Sequence, residues 1–288
     1  MELLYKNGSM HMTDIVQELG VTCGTLSPHM KMLTAAGLVT ITFEPGKHGV
    51  QRLCSIGDDR FLVEPGHTAQ QANVYETEIG VGQYVDYEVY PTCGLATSEH
   101  LIGVEDDPRY FASPERVSSG ILWLGHGYVE YLLPNYLKPN QRLLDLQISL
   151  EIASEAPGFC EDWPSDIYFY LNDKEFCTWT CPGDFGLNMG IFTPTWWNRN
   201  WNQHGQFKLL SITHVGSFVD GIHRSDVTLD QLNILPGESL KLRIAAPQAT
   251  AHPGGLTLYG RGFGDYNQDI HVRMHYTEDS ADADGFNS

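Results

Sequence analysis

The chain is poor in positive charge. Of its 288 residues, 17 are Lys or Arg and 36 are Asp or Glu, a formal net charge of −19. Whole-chain electrostatics therefore do not make a nucleic-acid binder the first reading. No run of 18 apolar residues occurs, which argues against a membrane-spanning helix. The first residues, MELLYKNGSM, show neither the apolar stretch nor the small-residue cleavage site of an export signal, so the expected location is cytoplasmic. The six cysteines (Cys23, Cys54, Cys93, Cys160, Cys177 and Cys181) are scattered, and no CxxC…CxxC spacing appears. Reduced thiols are the simplest expectation, with a shared metal or disulfide at Cys177/Cys181 as the alternative. No GxSxG, SxxK or HExxH motif occurs, and neither a cofactor nor a metal is expected.

What is present suffices for real cores: 42% of residues are hydrophobic and 18% charged. The length suggests two domains. Texture changes near Glu64-Pro65-Gly66, so residues 1–63 are expected to form one domain and 64–278 another. Residues 279–288 read as a disordered acidic tail.

In the first domain, Thr13 is expected to cap a short helix with Ile15, Val16 and Leu19 as its apolar stripe, stopped by Gly20. Thr22 caps a second helix, in which Leu26, Met30 and Leu33 recur at i, i+4, i+7 until Gly37. Two β-rich runs, 38–43 and 50–56, flank a turn at 44–49, which predicts a hairpin. Helix, turn, helix, hairpin is the order of a winged helix-turn-helix.

The segment from Met12 to Ile56 resembles the ArsR-type winged-helix regulators. The resemblance rests on Leu19-Gly20, Thr22, Thr25, Ser27, His29, Met30, Lys31, Leu33 and Ala36-Gly37-Leu38-Val39. It implies operator binding to double-stranded DNA by a homodimer, with the second helix in the major groove. The groove-facing residues it implies are Thr22, Cys23, Gly24, Thr25, Ser27, Pro28, His29 and Lys31, with Lys47 and His48 at the wing tip. Residues 1–63 hold five basic and six acidic side chains, so phosphate contacts are expected to be few. Pro28 is expected to strain its helix at the carbonyl of Gly24. The family's Cys-x-Cys metal sensor is missing from Val16-Gln17-Glu18-Leu19, so metal sensing is not carried over.

Residues 67–276 read as strands, the clearest at 84–90, 127–133, 142–152, 166–171, 174–179, 207–213, 239–245, 256–259 and 269–276. A turn at Asn172-Asp173 predicts a hairpin. The expected fold class is α+β with two domains: an N-terminal winged helix-turn-helix followed by a large all-β, jelly-roll-like sandwich. Residues 64–288 hold twelve basic and thirty acidic side chains, a surplus that repels nucleic acid and disfavours anionic ligands.

Five of the six tryptophans fall between 163 and 201, and the stretch 193–204 interleaves indoles with amides. Indole faces beside donors and acceptors suit a carbohydrate ring. The candidate ligand-binding residues are therefore Asp162, Trp163, Trp179, Asp184, Trp196, Trp197, Asn198, Arg199, Trp201, Asn202, Gln203 and His204. Paired acids such as Glu161/Asp162 or Asp162/Asp184 also suit glycoside hydrolysis. His271 and His275 share a strand face and, with His126 or His204, make a weaker metal candidate. The second domain is similar to the C-terminal region of ArsR-like regulators associated with sugar utilisation.

The expectation is a DNA-binding regulator, not an enzyme, whose sandwich senses a small neutral ligand, a carbohydrate. The alternative is a carbohydrate-active hydrolase or isomerase with an appended winged helix. A third possibility is a sandwich that serves only dimerisation.

Overall fold

A computed structural model describes residues 3–4, 9–35, 38–46, 49–56 and 73–278. The chain divides into two compact units, Met1–Ala69 and Gln70–Ser288. The expected boundary at 63/64 and the expected tail at 279–288 lie outside the described residues, as do Lys47 and His48. No helix among the described residues is long and apolar enough to cross a membrane.

The first unit begins with a two-residue strand, β1 (Met10–His11), and a helix, α1 (Met12–Leu19). Its N-cap is His11, which makes no side-chain cap bond; Thr13 instead lies inside the first turn and bonds Asp14. Gly20 stops the helix in the left-handed region at φ 63°, where a side chain would be strained. The second helix, α2 (Cys23–Ala35), starts from Thr22, whose hydroxyl accepts from the Thr25 amide at 3.2 Å. Strands β2 (Val39–Gly46) and β3 (Gly49–Ile56) pair antiparallel, and β1 joins the outer edge of β3. Leu4, Met12, Ile15, Leu26, Met30, Val39 and Cys54 form the small core.

The winged helix-turn-helix expectation, and with it the α+β fold class, is overturned here. Two described helices, one of only eight residues, do not build the several-helix DNA-binding domain that the resemblance implied, and the molecule is predominantly β. The periodicity read from the sequence is local. Apolar spacing locates a helix or a hairpin arm, but the same spacing serves any small cap in which two short helices cover a sheet.

The second unit is one hydrogen-bonded network of twelve antiparallel strands. Its spine is a pair of 13-residue strands, β6 (Ile121–Leu133) and β7 (Gln141–Ala153). Along one edge β6 gives residues 121–124 to β14 (Leu256–Tyr259) and residues 127–133 to β13 (Leu240–Ala246); along the other it takes β5 (Asp86–Ala96). In the same way β7 pairs β10 (Gln206–Thr213), β14 and β15 (Ile270–Glu278). A strand that serves different partners along one edge makes its neighbours fan apart, and the sheet curls into a nearly closed, barrel-like sandwich.

Both spine strands are buried over most of their length, so Leu122, Leu124, Val129, Leu146, Ile148, Leu150 and Ile152 all enter one core. Burying a Leu or Ile of this kind stabilises the fold by about 1.5–3 kcal/mol each. The hairpin of β8 (Ser165–Leu171) and β9 (Lys174–Cys181) turns at Asn172 and Asp173, both at positive φ (49° and 64°), the conformation of a two-residue hairpin turn. Three strands had no clear signature in the sequence: β4 (Asn73–Ile79), β11 (Gly216–Val219) and β12 (Ile222–Ser225).

Candidate functional site

A cavity of about 220 Å³ opens in the second unit, lined by Thr92, Glu105, Asp106, Trp123, Glu155, Pro157, Gly158, Trp197, Trp201 and Asn202. Three neighbouring strands supply its floor. On β6, Trp123 stands opposite Gly94 of β5 and Thr257 of β14. Gly94 is needed there, because a Cβ at that position would lie 2.2 Å from the ring atom Cζ2 of Trp123. Glu155 follows two residues after β7 and is tied to the next loop by its amide, which donates to the Gly254 carbonyl at 2.7 Å.

The carboxyl of Glu155 meets three polar side chains. Thr92 Oγ1 lies 3.1 Å from Oε1, while Thr257 Oγ1 and Asn202 Nδ2 lie 2.8 and 3.1 Å from Oε2. None of these is a cation, and the Glu155 side chain is buried except where it lines the cavity. Burial, reinforced by the nearby Asp184, raises its pKa well above the usual carboxylate range. Asp184 accepts from the Ala156 amide at 3.0 Å through Oδ2, while Oδ1 has no partner among the described residues. Burial is the main reason that its pKa is pushed up to about 8. Both shifts favour the uncharged over the ionised form of these carboxyls, so the cavity floor is less anionic than two free carboxylates would make it. At the rim, Glu105 is raised by burial and by the charge of Asp106.

The walls are indoles. Trp197 is 4% exposed and sits edge-on to Trp123 (5.7 Å, 78°) and to Trp201 (4.8 Å, 73°). The loop carrying them is fastened by its own atoms. Trp197 Nε1 donates to the Asn202 carbonyl at 2.8 Å, and Gln203 Nε2 donates to the carbonyls of Asn198 and Trp201, both at 2.9 Å. Thr193 Oγ1 closes it on the Gln203 carbonyl at 2.6 Å.

Of the twelve ligand residues expected from sequence, Trp197, Trp201 and Asn202 line this cavity. Asp184 lies behind it, and Gln203 and the carbonyl of Asn198 hold its loop together. Trp196 packs edge-on to Trp197 but points its Nε1 to the Ser98 carbonyl. Arg199 is exposed, and His204 stacks on Phe185. Asp162 and Trp163 are exposed and do not line the cavity, and Trp179 is a core residue with Lys208 over its ring at 4.6 Å. Thr92, Glu105, Asp106, Trp123, Glu155, Pro157 and Gly158 were not anticipated. A single acid at a strand end, followed by Ala-Pro-Gly, was the only trace of Glu155 in the sequence.

In the first unit, Thr22, Cys23, Gly24, Thr25, Ser27, Pro28, His29 and Lys31 lie along α2 and its cap, with Leu26 and Met30 turned inward. Lys31 is the helix's one Lys or Arg. Ser27 Oγ donates back to the Cys23 carbonyl at 2.7 Å, one turn before the donor that Pro28 lacks. Among the described residues no group of three or more His, Cys, Asp or Glu is placed to hold a metal ion, and all six cysteines are free. His275 instead pairs with Asp145 at 2.9 Å.

No family model matches the chain, and no curated protein matches it. The ArsR-type assignment therefore has no support from relatives either. Among solved structures, the chain has a likeness to the crystal structure of dimeric latent PorU from Porphyromonas gingivalis, at 11% identity and a TM-score of 0.24. The match covers 84% of this chain and 18% of the PorU chain. At that score the likeness carries no argument.

Proposed function

We propose that the second unit binds a small carbohydrate in the cavity floored by Glu155. The observation that carries this reading is the meeting, in one cavity, of three fixed indoles with the hydrogen-bonded carboxyl of Glu155, the amide of Asn202 and the hydroxyl of Thr92. Indole faces take the C–H face of a sugar ring, and uncharged donors and acceptors read its hydroxyls. A cavity of about 220 Å³ falls below the usual range for drug-sized ligands, roughly 300–1,000 Å³, and suits one ring. The lining holds no Lys, Arg or His, so sugar phosphates and uronic acids have no counter-charge. The operator and the homodimer rested on the ArsR resemblance and have no other support.

A second reading, glycoside hydrolysis, is favoured by one observation: burial raises the pKa of Glu155 well above the usual carboxylate range in a cavity whose lining also holds the carboxyls of Glu105 and Asp106. That is the division of labour between acid and base in glycosidases. Isothermal titration with a panel of monosaccharides tests the first reading. One or more of them should bind, and Trp201→Ala should weaken binding by about tenfold or more. A flat response to every sugar overturns it. Release of sugar from aryl glycosides, lost in Glu155→Gln while ring binding persists, is the result that would favour hydrolysis.

A further inference from the structure

Four carboxyls gather at and behind the cavity with no cation among them, two exposed at the rim and two buried. Elsewhere, well-buried carboxylates have found partners: Glu130 with Arg243 at 2.7 Å, Asp145 with His275 at 2.9 Å, and Asp166 with His252 at 3.1 Å. Even Asp107, next to the rim, is clasped by Arg109 at 2.6 Å. Among the described residues no Lys, Arg or His pairs with Glu105, Asp106, Glu155 or Asp184. Behind the cavity, the buried Asp184 Oδ1 and Tyr259 hydroxyl have no partner among the described residues.

The walls complete the pattern. The planes of Trp123 and Trp201 lie at 78° and 73° to Trp197, so the indoles meet at corners. Aromatic corners with carboxylates at the mouth are the arrangement that receives an ammonium group, through ring quadrupoles and Coulomb attraction together. Asp106 is also held at φ 60°, an uncommon backbone conformation for a residue other than glycine. Its Oδ1 accepts from the Cys93 amide at 2.9 Å, which fixes the carboxylate at the rim.

We infer that the ligand of this cavity is a cationic amino sugar, its ammonium group set between the indole corners and the Glu105/Asp106 rim. The inference rests on the carbohydrate reading above and narrows its substrate class.

The test is isothermal titration of the full chain at about pH 6.5, where a primary amine of this kind keeps its proton. The probes are glucosamine, galactosamine and mannosamine, each beside its parent hexose and its N-acetyl derivative, with tetramethylammonium chloride as a cation without a sugar. At least one amino sugar should bind about tenfold or more tightly than both its hexose and its N-acetyl form. Asp106→Asn, whose new side chain tolerates the left-handed backbone, should lower amino-sugar affinity about tenfold more than hexose affinity, so that most of the preference disappears. Should Asp106→Asn fail to fold by circular dichroism, Glu105→Gln at the exposed rim serves in its place. Equal affinity for amine, hexose and N-acetyl sugar overturns the amino-sugar inference and leaves the carbohydrate reading standing. Binding of tetramethylammonium without any sugar, or of no probe at all, overturns both.

Discussion

At the scale of single residues, burial raises the pKa values of Glu155 and Asp184, the two buried carboxyls at the cavity. Two carboxyls buried near each other cannot both be charged without large desolvation and repulsion, so the native state holds protons that the unfolded chain gives up. A carboxyl whose folded-state pKa lies above its unfolded value contributes stability that is fully present below the unfolded pKa. That contribution is lost as pH rises through the folded pKa. For Asp184 the window runs from 3.8 to about 8. Urea titrations should show stability falling across this window, and Asp184→Asn should flatten the fall by on the order of 2–4 kcal/mol. An unchanged slope in Asp184→Asn would mean that the proton resides elsewhere. Asp166 has the opposite sign. Its three hydrogen-bonding neighbours, Thr180, Thr250 and His252, outweigh burial and hold its pKa down to about 2, so its contribution disappears only as pH falls through that value.

At the scale of elements, the site depends on β5 letting Trp123 lie against its backbone. Gly94→Ala would place a methyl carbon 2.2 Å from the indole, which must then rotate or push β5 away. The expected cost is about 1–3 kcal/mol in urea denaturation, with sugar affinity lowered by the same displacement. Unchanged stability and binding would show that Trp123 has room to move. The long strands were largely legible: alternating runs at 142–152 and 166–171 became parts of β7 and β8, because alternation marks the two faces of a strand, although in β7 the polar face, with Asp145, Ser149 and Glu151, is buried as well. The short β11 and β12 and the edge strand β4 were not. They contain too few apolar residues to set a period, and pairing with longer neighbours holds them. In the small unit, α1, α2 and the hairpin were each read nearly in place, yet the family inferred from their order was not upheld. Element order constrains local chain direction and says little about which larger architecture uses it.

At the scale of the whole molecule, the surplus of negative charge is a term in stability rather than in fold. Net −19 on 288 residues means that exposed carboxylates such as Glu99, Asp162 and Asp226 repel one another across the surface. Raising NaCl from about 20 mM to about 500 mM shortens the screening length several-fold and should raise the melting temperature by about 2–6 °C. A melting temperature that falls over that range would show that the surface ion pairs outweigh the repulsion.

Composition and spacing by themselves determined that most of the chain would be strands, that negative charge would dominate, and that a Trp- and Asn-rich loop would carry indoles beside amides. These are properties of neighbours along the chain, set by the two-residue period of a strand and by turn residues. Which of those indoles share a cavity was decided only by the tertiary structure. Trp123, Glu155, Trp197 and Thr257 come from distant parts of the sequence, and the branching of β6 and β7 around β14 brings them together. Long-range strand pairing leaves no local signature. A lone acid at the end of a strand therefore looked ordinary until burial removed its water and its counter-ions.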